Sequence, residues 1–113
     1  MLFRSEDELR LAFFSEASEV PAYWRRGWSF WGAMAQLHAA QNADDAAYWG
    51  AGSVPVLVIQ ALDDTIAPPD DAGRPLRDAH PDRVTLVELD DAGHALLPER
   101  PEAIHGEIGR AHV

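Results

Sequence analysis

"VPVLVIQALDDTIAPP", residues 54–69, decides the fold. Residues 54–61 are a near-continuous apolar run rich in Val and Ile, the composition of a strand buried on both faces, as in a parallel sheet. The run stops at Asp63 and Asp64, and Pro68 and Pro69 keep the following stretch in a loop. A second run, "RVTLVEL" at residues 83–89, ends the same way, in "DDAGHALLPER" at residues 90–100. Between the two runs a helix is expected from about Asp71 to Ala79, with an irregular first turn because of Gly73 and Pro75. After them, Pro101 at a helix start and Ile104, Ile108 and Ala111 on one face predict a terminal helix, weakened by Gly106 and Gly109. Strand, helix, strand, helix is a βαβ unit with one helix added, and such crossovers join parallel strands with a right-handed turn. In open α/β sheets the residues that do chemistry stand on loops at the carboxyl ends of strands. Both Asp-containing loops stand there.

Upstream the chain changes character. Every Phe, Tyr and Trp, from Phe3 to Trp49, precedes Gly50, whereas Val20 is the one β-branched residue before Ser53. "GAGS", residues 50–53, marks a flexible joint, so the chain divides into a helical segment, 1–52, and a strand–helix portion, 53–113. Ser5 and Glu8 form a capping box, and Leu9, Ala12, Phe13 and Ala17 recur at helical spacing. Pro21 opens a short helix around "PAYWRR" that Gly27 stops. "FWGAMAQLHAA", residues 30–40, suggests a third helix, and Asp44 or Asp45 caps a last turn through Trp49.

With 113 residues and a hydrophobic fraction of 47%, the chain suits one ordinary globular domain. A net charge of −10 argues against nucleic acid and against an anionic membrane as partners. Cysteine is absent, which excludes disulfides and thiolate zinc sites. The N-terminus turns acidic too soon for a signal peptide, and no apolar run is long enough to span a bilayer. A cytoplasmic protein is the expectation. The Asp doublets at 44–45, 63–64, 70–71 and 90–91 lack the spacing of a calcium loop. His38, His80, His105 and His112 lack zinc-ligand spacing. No metal is expected.

The two loops do offer acid–base chemistry. Asp63 and Asp64 follow one strand directly and His94 follows the next, and neighbouring parallel strands lie about 4.8 Å apart. A carboxylate there can accept the Nδ1 proton of the imidazole, fix its tautomer and stabilise the imidazolium formed during catalysis. Gly93 lets the chain turn sharply and leaves the ring accessible. Other readings stand beside this one. Asp64 can cap a turn before a proline-rich loop, His94 can be a loop histidine bonded to backbone, and Asp63 suits a solvent-facing position.

Read together, "VPVLVIQALDDTIAPP" and "VTLVELDDAGHALLPERPEAI" resemble the last strands of the α/β-hydrolase superfamily, over roughly residues 53–111. The resemblance implies a partial α/β-hydrolase fold: two parallel strands with flanking helices, preceded by the aromatic end of a helical cap. It assigns the acid to Asp64 and the base to His94, and places Trp28, Trp31, Ile66 and Ala95 toward a small hydrophobic substrate. It implies hydrolysis of an ester, amide or C–C bond by a Ser-His-Asp triad, which needs neither metal nor coenzyme. Two departures from the family pattern are Ala61, where Gly is usual, and Pro75 within a helix.

The triad's nucleophile belongs on a Gly-x-Ser-x-Gly elbow upstream of the acid. "GWSFWG", residues 27–32, comes nearest, but Trp31 replaces the second glycine and no strand precedes Ser29. Ser5, Ser15, Ser18 and Ser53 lack an elbow, and the oxyanion loop has no counterpart. The expectation is therefore a C-terminal part of a hydrolase, inactive alone, with the attacking group outside this sequence; a truncated reading frame or misplaced start, with Met1 internal to the cap, is a further alternative. The rival expectation is a non-catalytic interaction module. Two strands apolar on both faces exceed what a few short helices cover, and an open strand edge invites pairing. A complementary N-terminal half or a second copy of the chain would then complete the sheet.

Overall fold

The computed structural model describes residues 5–44 and 52–111. The turn expected between Asp45 and Trp49, the first half of the 50–53 joint, Phe3 and His112 lie outside the described residues.

Helix α1 spans Glu6–Phe13, and the Ser5 hydroxyl accepts the Glu8 amide at 3.2 Å. Glu6, Asp7 and Glu8 occupy its first turn, where carboxylates meet the positive end of the helix dipole. Leu9 is its buried residue. The helix ends earlier than the spacing of Ala17 suggested: Phe14 is extended and Ala17 is exposed beyond the helix. A long-range bond competes for the backbone here, because the Phe13 carbonyl accepts the Ala95 amide at 2.7 Å. Pro21 leads into a single 3₁₀ turn, Ala22–Arg25, and Gly27 follows in the left-handed region at φ +83°. Helix α2, Phe30–Gln41, is capped by the Ser29 hydroxyl, which accepts the Gly32 amide at 3.3 Å. None of its residues is buried.

Strand β1, Val56–Ala61, and strand β2, Val84–Leu89, form a two-stranded parallel sheet in register from Val56 opposite Val84 to Ala61 opposite Leu89. Helix α3, Gly73–Ala79, connects them and packs on both strands. A one-turn helix α4, Leu96–Glu99, follows β2, and α5, Pro101–Ala111, closes the described chain. Helix α4 was not expected; Pro98 inside it hides a single turn from any periodicity argument. The chain is thus a small α/β structure, a parallel pair flanked by helices. Among the described residues no helix is long and apolar enough to cross a membrane.

One buried cluster joins Leu9 and Phe14 of the N-terminal segment to Ala95 of the loop after β2, with Phe13, Val20 and Trp24 packed against it. Apolar packing therefore concentrates at the carboxyl end of the sheet. Elsewhere the sheet is open: Val56, Leu57, Val58 and Ile59 are only half-buried. A groove of about 680 Å³ runs between Leu57, Ile59 and Val87 on the strands and Ile108 on α5.

Candidate functional site

Parallel pairing does not stop at the strand ends. The Leu62 amide donates to the Leu89 carbonyl and the Asp63 amide to the Ala92 carbonyl, both at 3.0 Å. The two loops therefore leave the sheet side by side. In the first, Asp64 turns its carboxylate back on its own loop, Oδ1 accepting the amides of Ile66 at 2.9 Å and Ala67 at 2.8 Å. The same carboxylate faces His94: Nδ1 stands 2.9 Å from Oδ2 and 3.1 Å from Oδ1. Turn-capping and contact with the imidazole coexist in one side chain. Asp63 is exposed, and its backbone makes the interloop bond just described.

Burial divides the pair in a useful way. The Asp64 side chain is 9% exposed and that of His94 is 38% exposed. With Asp64 as acceptor, Nδ1 carries the ring proton and Nε2 keeps the lone pair. Nε2 has no hydrogen-bond partner among the described residues, so a basic nitrogen is presented outward on a ring anchored from behind.

Gln60, buried in β1, anchors the acid loop. Its Nε2 donates to the Ala61 carbonyl at 2.9 Å and the Ala67 carbonyl at 3.1 Å, while Oε1 accepts the Gly73 amide at 3.0 Å. One side chain ties strand, acid loop and the start of α3 together. Sequence reasoning missed it; the available signal was a lone amide inside an apolar strand.

The base loop is built differently from expectation. The tight turn falls at Asp91, with φ +53°, a conformation that Asp tolerates better than most residues. Gly93 has another task, close approach. A Cβ there would lie 2.8 Å from the Phe13 oxygen, 2.8 Å from the Phe14 carbonyl carbon and 2.9 Å from the Ser15 nitrogen. The backbone of residues 13–15 lies against this glycine, and the Ala12 carbonyl reaches the Thr65 hydroxyl at 3.3 Å. The N-terminal segment thus crosses both loops.

Aromatic rings follow the same path. The Phe13 and His94 rings lie 5.6 Å apart at 52°, and Phe13 also contacts Trp24 at 5.5 Å and Trp28 at 5.7 Å. The Trp28 indole N–H donates to the Trp24 carbonyl. Of the residues expected toward a substrate, Trp28 belongs to this cluster and is 47% exposed. Trp31 is 79% exposed and its ring packs on Phe30 of its own helix. Ile66 is 43% exposed beside Asp64, whereas Ala95 is buried with its amide on the Phe13 carbonyl.

The serines have other occupations. Ser5 and Ser29 cap helices, and the Ser15 hydroxyl donates to the Asp91 carbonyl at 3.1 Å and sits 3.2 Å from that of Ser18. No serine hydroxyl is bonded to His94 among the described residues. Nor does any group of three or more His, Asp or Glu side chains among them form a metal cradle.

Neither protein-family models nor curated proteins match this chain. The chemistry of the two loops is therefore the basis for any functional reading.

Proposed function

We propose that the chain is the C-terminal part of an α/β-hydrolase, with Asp64 and His94 as the acid and base of a triad whose nucleophile lies outside this sequence. A single observation carries the reading: the Asp64 carboxylate on Nδ1 of a half-exposed His94, 2.9 Å away, with Nε2 left open. In the complete enzyme Nε2 takes the proton from a hydroxyl as its oxygen bonds to the substrate carbonyl carbon. The same proton then passes to the leaving group as the old bond breaks. Asp64 holds the ring and balances the charge that the imidazole carries between these steps. The substrate is a small apolar ester, amide or activated C–C compound, consistent with the Phe13 ring beside the base and the Trp24 and Trp28 rings against Phe13. The reaction calls for no cofactor.

The purified chain should therefore show no turnover of short-chain chromogenic esters that disappears in His94→Ala. Turnover abolished by that substitution would mean that a nucleophile is present after all. Reading the DNA upstream of Met1 in frame is the complementary test, and a Gly-x-Ser-x-Gly elbow is expected there.

A specific observation also favours an interaction module. The Val56 amide donates to the Arg83 carbonyl and the Leu62 amide to the Leu89 carbonyl. By the two-residue alternation of a strand, Leu57 and Ile59 turn their amides to the opposite edge. No backbone group meets them there among the described residues. Light scattering behind size exclusion addresses this reading, for which an oligomer or a stable heteromer is expected.

A further inference from the structure

Glu99 takes no part in the acid–base pair, yet it reaches the loop that carries the base. Its Oε1 accepts the Ser15 amide at 2.7 Å, and its Oε2 accepts the Gly93 amide at 2.7 Å. One of those amides lies 84 residues away in sequence and the other 6. Ser15 and Gly93 are both buried, so neither amide has water as a ready substitute. Glu99 ends the one-turn helix α4, whose Glu99 amide bonds the Ala95 carbonyl at 3.3 Å and whose following Arg100 amide bonds that of Leu96 at 2.8 Å. The carboxylate is thus mounted on a hydrogen-bonded turn that starts immediately after the base.

We propose that Glu99 is the positioning residue for His94, a carboxylate clamp that locks the base loop against the N-terminal segment. This rests on the acid–base reading of Asp64 and His94. The Gly93 amide belongs to the Ala92–Gly93 peptide, which leads the chain into His94, and holding it fixes the backbone from which the ring departs. Holding Ser15 with the other oxygen keeps Phe13, two residues earlier, against the ring. Two supports of the imidazole besides Asp64 thus share one carboxylate, which acts beside the bond from the Ala95 amide to the Phe13 carbonyl. The clamp has a functional consequence: the N-terminal segment and the base are coupled, and loosening either end lets the ring swing away from Asp64. Bonds that backbone N–H groups donate to a carboxylate are among the stronger ones. Glu99→Gln keeps the size but sets an amide N–H against a backbone N–H, and Glu99→Asp is too short to span both donors.

The test uses the full isotope-labelled chain and nuclear magnetic resonance, with no need for turnover. In Glu99→Gln, the Ser15 and Gly93 amides should exchange with solvent about tenfold faster or more, as loss of one strong bond implies. The low-field Nδ1 proton of His94 should vanish into exchange, and the contact between the Phe13 and His94 rings should weaken. Val58 and Val87 of the sheet should keep their exchange rates. Faster amides with an intact Nδ1 proton and ring contact would make Glu99 merely structural and overturn the proposal; so would unchanged amides. Asp64→Asn separates the two readings. If the Nδ1 proton survives that change, or is missing in the wild type, the acid–base pair itself fails, and the Phe13 ring contact still decides whether Glu99 positions the ring. Should the variants not fold, the wild type in mild urea serves instead. There Ser15, Gly93 and the His94 ring contact should open with one shared free energy, and separate openings would reject the clamp.

Discussion

At the carboxyl end of the sheet, Asp64, Gln60 and Glu99 each satisfy at least two backbone groups, and Phe14 and Ala95 are buried beside them. On the flanks, the Leu57 and Ile59 amides meet no backbone group among the described residues, and α2 leaves Phe30, Trp31, Met34 and Leu37 exposed. Asp64, Gln60 and Glu99 in the first region find their partners on the backbone of neighbouring segments; the apolar side chains of the second stay exposed or half-buried. The contrast separates two kinds of information. Loop geometry here is a matter of short-range hydrogen bonds and close backbone contact, which 113 residues can supply. Covering a parallel pair on both faces takes more surrounding structure than the described residues provide. Two loops can therefore be tied firmly together beside strands whose faces stay half-buried.

The largest expected effect breaks the tight region directly. Gly93→Ala drives a Cβ into the backbone of residues 13–15, which has no flexible atom to yield. A loss of about 2–3 kcal/mol is expected in urea denaturation, the upper part of the range for overpacking. Gly109→Ala on α5 is the control from the open region, since nothing lies within 4 Å of a Cβ there. It should stabilise by about 0.5–1 kcal/mol through helix propensity. Equal effects at the two glycines would erase the contrast.

Gln60→Leu comes next. It keeps the bulk but strands the Gly73 amide and the Ala67 carbonyl, and buried orphans of this kind cost about 1–3 kcal/mol in total. The loss should fall on the acid loop first, seen as faster exchange of the Ile66 and Ala67 amides. Its counterpart is Leu57→Lys at the β1 edge, where a charge is a natural edge guard. That change should cost under about 1 kcal/mol in the monomer and should reduce any self-association measured by light scattering.

How far the sequence could be read follows the same line. Strand runs, the loops after them, the Ser5 end of the first helix and the Asp64–His94 juxtaposition were legible, because each depends on neighbours or on parallel adjacency; Ser29 was weighed only as a nucleophile, and it caps a helix. Ala17 misled as a helical position because Phe13 gives its carbonyl to Ala95, a contact that no local pattern reveals. Gly93 was recognised as special for the wrong reason: a turn was expected, and what it answers is the backbone of a distant segment. Gln60 and Glu99 stayed hidden for a related cause. An amide in a strand and a carboxylate in a Pro-flanked turn carry no periodic signal, and their meaning appears only with the groups they hold.

The smallest expected effect lies on the exposed flank, where α3 meets β2. Arg74 grips Glu88 with Nε at 2.6 Å and one terminal nitrogen at 3.2 Å, and gives its other terminal nitrogen to Asp70 at 2.9 Å. The hydrogen bond from Arg74 holds the Glu88 carboxyl below its usual range, and Glu88 with Asp70 pushes the guanidinium further up. Arg74 thus stays charged wherever Glu88 titrates. A carboxyl depressed in the folded state binds protons more weakly there than in the unfolded chain, so its contribution is complete above the ordinary Glu range. It fades as pH falls from that range through the depressed value. Urea midpoints from pH 3 to 7 should therefore converge for the wild type and Glu88→Gln at the acid end and stay a constant, small distance apart near neutrality. Salt should shrink the gap, since the pair is exposed. A gap independent of both pH and salt would mean that Glu88 holds α3 by packing of its stem, and that even the flank relies on contact more than on charge.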